Sequence, residues 1–293
     1  MKKRILLLGF LGILCSSIHA QQRTIDIQSP DGKLKVVVDL KEKLYYSVIS
    51  QNDTILKNCT LSMTLSNDIL GRQPHLQSFK KGKIDKETLR PVPLKNASVR
   101  NYCNTLRMNM KGKYAIEFRV YDNGVAYQLE VVGEEFTVHF PANYLAHLSK
   151  TSSFKTSYEN PYSHVRTLDY HSSDEMSYLP ILLESPQGYN ILISEADLDD
   201  YPCMFLKGTD DNGLTAVFPR YPLEFGEDGN RSVKILKEAD YIAKTEGKRT
   251  FPWRFFVISS DDKDIVRNEM AYNLSSPCEL EDYSWVKPGQ VSW

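Results

Sequence analysis

Four carboxylates crowd one short segment, Ser194-Glu195-Ala196-Asp197-Leu198-Asp199-Asp200-Tyr201, directly after the alternating run Tyr189, Ile191, Ile193. Carboxylate oxygens at the exit of a strand are what a hard cation such as calcium takes as ligands. A solvated acidic turn has the same composition, so the segment alone supports either reading. A second stretch, Tyr158-Glu159-Asn160-Pro161-Tyr162-Ser163-His164-Val165-Arg166, mixes aromatic rings with polar groups, as sugar-binding surfaces do and as ordinary loops with aromatic anchors also do. Taken alone, His164 and His171 read as surface or hydrogen-bonded histidines. No GxSxG elbow, HExxH helix, Walker loop, GxGxxG or EF-hand loop occurs. Scattered carboxylates, the remaining route to hydrolytic chemistry, leave no local signature.

The elements that must position these residues read mainly with a period of two. Leu34, Val36, Val38 and Leu40 alternate with polar or outward residues, Lys41-Glu42-Lys43 forms a charged turn, and Leu44, Tyr46 and Val48 resume the alternation. Ile116, Phe118 and Val120 lead through Asp122-Asn123-Gly124 into Val125, Tyr127, Leu129 and Val131, and Asn-Gly suits the positive φ of a tight hairpin. Asp211-Asn212-Gly213 reads as another turn, and Phe251, Trp253, Phe255 and Val257 as a late strand. One helix is expected, from Asp262 to Leu274, capped by Ser260 or Asp261. The Lys- and Pro-rich stretch from Gln73 to Arg100 reads as a less regular surface excursion. With no repeat and no long linker, the pattern predicts an all-β fold, one large antiparallel sandwich.

Composition narrows the function classes. Residues 1–20 read as a secretory signal peptide, with Lys2, Lys3 and Arg4 before an apolar run from Ile5 to Leu14 and an Ile18-His19-Ala20 exit, so the expected location is periplasmic or secreted. Leu14 before Cys15 does not fit a lipid-modified cysteine. Cleavage before Gln21 would reduce 36 Lys+Arg to 33 against 37 Asp+Glu, a net charge of −4, which argues against a nucleic-acid partner. Cys59, Cys103, Cys203 and Cys278 make no CxxC motif and read as free or singly bridged structural cysteines. The final residues, Ser284-Trp285-Val286-Lys287-Pro288-Gly289-Gln290-Val291-Ser292-Trp293, read as the entrance to a further domain.

Five segments in order carry a family likeness: Ser29-Pro30-Asp31-Gly32, Val120 to Tyr127, Ile193-Ser194-Glu195-Ala196-Asp197-Leu198, Pro252-Trp253-Arg254 and Ser284 to Gly289. Together they resemble the N-terminal part of glycoside hydrolase family 97, exported α-glucosidases and α-galactosidases. The resemblance implies a super β-sandwich akin to the galactose mutarotase-like fold over residues 21–282, with 283–293 opening a (β/α)₈ barrel that holds the catalytic carboxylates. It also implies an α-linked oligosaccharide or polysaccharide as substrate of that barrel, and a calcium to which the sandwich lends one glutamate, matched here by Glu195. Asp197, Asp199 and Asp200 then stay turn residues. On this reading the chain is a non-catalytic portion of a hydrolase, and the sandwich face meeting the barrel, around Glu195 and Trp285, should expose apolar side chains. The rival is a self-sufficient sugar-binding or mutarotase-like sandwich, with Glu159, His164 and His171 as first candidates for acid-base work. A purely structural exported module would need no site.

Overall fold

The computed structural model describes residues 23–64, 69–92, 95–112, 114–130, 135–229, 232–244, 249–287 and 289–290, so the signal-peptide segment and Val131 lie outside the described residues. Two layers of antiparallel strands share one strand. The first layer runs Arg23–Gln28, Leu34–Leu40, Leu44–Ser50, Asp53–Thr64, Glu135–His139, Gly213–Val217, Phe205–Gly208 and Met176–Glu184. The second runs Leu76–Leu89, Ser98–Met110, Tyr114–Tyr121, Gly124–Glu130, Trp253–Ser259, Asn190–Ala196, Met176–Glu184, Leu145–Thr151 and Ser163–Arg166. Met176–Glu184 is the fork. Its Ser177 and Tyr178 pair with Leu206 and Phe205, while Ile181 to Glu184 pair with the Asn190–Ala196 strand. Pro180, with no N–H to donate, sits between the two partners.

The expected all-β sandwich is therefore present, and its core is the space between the layers. Tyr46 of the first layer packs against Phe118 and Tyr127 of the second, and Phe136 stacks between Tyr127 and Phe256, with ring centroids 5.6 to 6.4 Å apart. Tilted and offset rings at such separations pack favourably beyond their buried area. Both predicted hairpins form, Leu34–Leu40 with Leu44–Ser50 and Tyr114–Tyr121 with Gly124–Glu130.

Three expectations need correction. The excursion from Gln73 to Arg100 contains a regular strand, Leu76–Leu89, which pairs residue by residue with Ser98–Met110. It is an edge strand exposed along most of its length, so no apolar alternation marks it, and its lysines blunt the edge. The single expected helix is two, Asp262–Arg267 and Met270–Leu274. Asp261 does cap the first, accepting from the Lys263 N–H, but Asn268 turns extended and its side chain accepts from the Met270 N–H, which restarts the coil. Finally, Gly124 does not have a positive φ. A Cβ there would lie 2.4 Å from the Phe256 carbonyl oxygen and 2.3 Å from Met270 Cε, so the glycine permits close packing rather than a turn.

Candidate functional site

Glu195 occupies the inner face at one end of the sandwich. In Asn190–Ala196, Ile191 and Ile193 point into the main core, and the strand's period of two brings Glu195 to the same side. Directly across the ladder lies Arg254, which shares its face with Phe256 and Ile258. Arg254 is 1% exposed and its Nη1 pairs with Glu195 Oε2. Both Glu195 oxygens also accept from the Met204 N–H, at 3.2 and 3.3 Å, and the Arg254 guanidinium lies 5.5 Å from the centre of the Phe218 ring. A buried guanidinium needs such a partner, because an uncompensated charge there is costly. In the sequence Arg254 figured only within the Pro252-Trp253-Arg254 likeness and not as a site residue, because the alternation of Phe251, Trp253, Phe255 and Val257 put it on the opposite face.

The aromatic stretch flagged from sequence reaches this end of the fold. Tyr158, at φ 61, places its hydroxyl 3.7 Å from Cys203 Sγ, next to Met204. Burial first, then the contact with Cys203, pushes the Tyr158 hydroxyl up to about 12. Its ring stands edge-on to Tyr178 at 4.9 Å, and Phe154 meets Phe205 at 5.0 Å. Asn160 ties the loop down by donating its backbone N–H to the Tyr178 hydroxyl and its amide to the Lys150 carbonyl.

The other flagged residues have separate surroundings. Glu159 is exposed. His164 meets His147, Nδ1 to Nδ1, at 2.6 Å. The His171 N–H donates to Asp174, and its ring lies 3.9 Å from Asp210. Asp197, at φ 60, accepts from the Ser276 N–H, and Arg249 donates to the carbonyls of Asp199 and Asp200, which is the bonding of a structured turn. Cys59, Cys103, Cys203 and Cys278 are all free thiols.

The described residues do not fit a calcium ion unaided. Glu195 already faces a guanidinium and an N–H, and among the described residues no group of three or more His, Cys, Asp or Glu could hold a metal. A cleft of ≈ 500 Å³ lies elsewhere, lined by Arg90, Asn101, Tyr272 and Tyr283 among others, and includes none of Glu159, His164, His171 or Glu195.

Exposed apolar groups are plentiful. Trp285 is 70% exposed, and Tyr158 and Leu198, beside Glu195 in space or sequence, are exposed as well. The hairpin Pro222–Glu227 with Val233–Glu238 forms a sheet of its own, on which Leu223, Phe225, Val233, Ile235 and Leu236 are all exposed. No helix among the described residues is long and apolar enough to cross a membrane.

A family model described as the glycosyl-hydrolase 97 N-terminal domain matches residues 27–277. A retaining alpha-galactosidase of Bacteroides thetaiotaomicron is 31% identical over 315 residues, covering 100% of this chain and 47% of that protein. A glycoside hydrolase family 97 enzyme of Pseudoalteromonas sp. strain K8, solved with acarbose, superposes with a TM-score of 0.75 at 22% identity, over 90% of this chain and 40% of that one. A beta-arabinopyranosidase structure follows with a TM-score of 0.63 at 21% identity, over 80% and 40%. The chain thus spans about half the length of the curated relative it matches.

Proposed function

The chain belongs to the glycosyl-hydrolase 97 N-terminal family, and from that premise we propose that it is the non-catalytic sandwich of an exported α-glycoside hydrolase, serving to support a catalytic barrel that acts on α-linked oligosaccharides. The observation that carries this reading is the exposed apolar surface of a fold whose core is already closed. An isolated two-stranded hairpin is marginal in water, and one presenting Phe225 and Ile235 to solvent is better explained by a partner surface than by folding alone. Export rests on the signal-like residues 1–20.

Within this reading Glu195 is the sandwich residue nearest to a catalytic role. Paired with Arg254, it would add one carboxylate to a calcium site only if the remaining oxygens came from outside this chain.

The test is to assay the purified chain against p-nitrophenyl α-galactoside and α-glucoside, alone and mixed with the separately produced C-terminal half of the Bacteroides relative. The expected result is no turnover alone and formation of a complex that slows hydrogen exchange on the 222–238 hairpin. Hydrolysis or mutarotation by the chain alone would overturn the reading in favour of a self-sufficient sandwich.

A further inference from the structure

On the outer face of the second layer, three strands bring together His147, His164 and Glu184. Ala146 and Leu148, and likewise Leu183, point into the core, so His147 and Glu184 project to the opposite side. His147 and His164 are register partners on Leu145–Thr151 and Ser163–Arg166. Their Nδ1 atoms lie 2.6 Å apart, with ring centroids at 4.8 Å and planes at 75°. The Nε2 of His147 lies 2.7 Å from Glu184 Oε1.

The hydrogens follow from the partners. An ionised carboxylate only accepts, so His147 carries its hydrogen on Nε2 and donates it to Glu184. Neutral His147 then turns the lone pair of Nδ1 toward His164, whose Nδ1 must carry the hydrogen between them. Moving that hydrogen to His164 Nε2, without net loss of a proton, leaves two imidazole lone pairs facing each other across 2.6 Å, and parting the nitrogens by roughly 0.7 Å would let both reach one ion at the usual Zn–N length of about 2.0–2.1 Å. Glu184 meanwhile sets the tautomer and ring orientation of His147, as carboxylates behind metal-bound histidines do.

We propose that His147 and His164 form a binding site for a borderline divalent transition-metal ion such as Zn²⁺, with Glu184 as a positioning residue. Imidazole nitrogens suit zinc, copper and nickel, whereas calcium and magnesium require oxygen ligands. The site is open. Among the described residues no third His, Cys, Asp or Glu completes it, so the other positions of a bound ion would be left to water. Arg166, two residues along the same face from His164, adds positive charge and keeps affinity below that of a closed structural zinc site. A bound ion would cross-link the short Ser163–Arg166 edge strand to the sheet, directly after the loop that carries Tyr158.

The experiment is calorimetric titration of ZnCl₂ into the untagged, chelator-stripped chain, with circular dichroism to check the fold of each variant. The expected result is saturable binding of a single ion per chain, weakened more than tenfold in His147→Ala and His164→Ala, and roughly tenfold in Glu184→Gln. In the zinc-loaded protein, nitrogen NMR should show both rings with their hydrogen on Nε2. Absence of saturable zinc binding, or equal binding by the double variant H147A/H164A, would overturn the proposal. If His147→Ala does not fold, the exposed His164→Ala decides the matter alone.

Discussion

At the scale of single residues, the Glu195 to Arg254 pair joins the flagged carboxylate to the core. Removing one member leaves the other charge stranded, at a cost of about 3–5 kcal/mol, while replacing both with apolar groups of similar volume is often neutral. Glu195→Gln should therefore lower the urea midpoint sharply, and the double variant E195L/R254M should recover most of the loss; equal destabilisation by single and double variants would refute the coupling. Thiols supply a pH dependence. Burial pushes Cys59 up to about 12 and Cys103 up to about 11, against roughly 8.5 for a free thiol. The folded state thus favours the protonated thiol, so its contribution is complete below roughly pH 8.5 and declines as pH rises toward the folded values. The denaturation midpoint should fall across that alkaline window, and iodoacetamide at pH 8 should label exposed Cys278 well before Cys59 or Cys103, as read by mass spectrometry. Glu195 was singled out among four clustered carboxylates by the family resemblance, not by the local pattern. Arg254 was not singled out, since its meaning comes from the residue across the ladder.

Secondary-structure elements show where local patterns carry information and where they fail. The hairpin at Asp122-Asn123 was legible from alternating apolar residues on both sides of it. The role of Gly124 was not, because Phe256 and Met270 approach it from more than a hundred residues away. Gly124→Ala should destabilise the fold by about 1–3 kcal/mol through overpacking, measurable by urea denaturation; an unchanged midpoint would mean that the two layers readily shift. The helix break at Asn268 likewise depends on distant partners, since Glu269 leaves the helical path to meet Arg90 at 2.6 Å and Asn96 at 2.8 Å. The isolated 222–238 hairpin is the opposite case, with little holding it to the rest of the domain. Phe225→Glu should leave the thermal midpoint nearly unchanged, within about 0.5 kcal/mol in stability, while reducing binding of the dye ANS. A large loss of stability would show that the hairpin packs on the sandwich after all.

For the whole molecule, the closed inter-layer core predicts a domain that folds without metal. Adding CaCl₂ to the purified chain should leave its melting temperature unchanged, since one compensated glutamate is a poor calcium site. A saturable rise abolished by Glu195→Gln would show that the chain's own oxygens suffice. The amino-acid sequence by itself determined the all-β class, the main hairpins, a helix cap at Ser260 or Asp261 and the likeness to family 97, because these depend on alternation, turn chemistry and short segments in a fixed order. Only the tertiary structure decided that Met176–Glu184 forks between two layers, that Glu195 faces Arg254, and that His147, His164 and Glu184 meet on one face. These arrangements depend on strand register between residues far apart in the chain. A slip of one position would reverse every side chain's face, and no local pattern records which register is adopted.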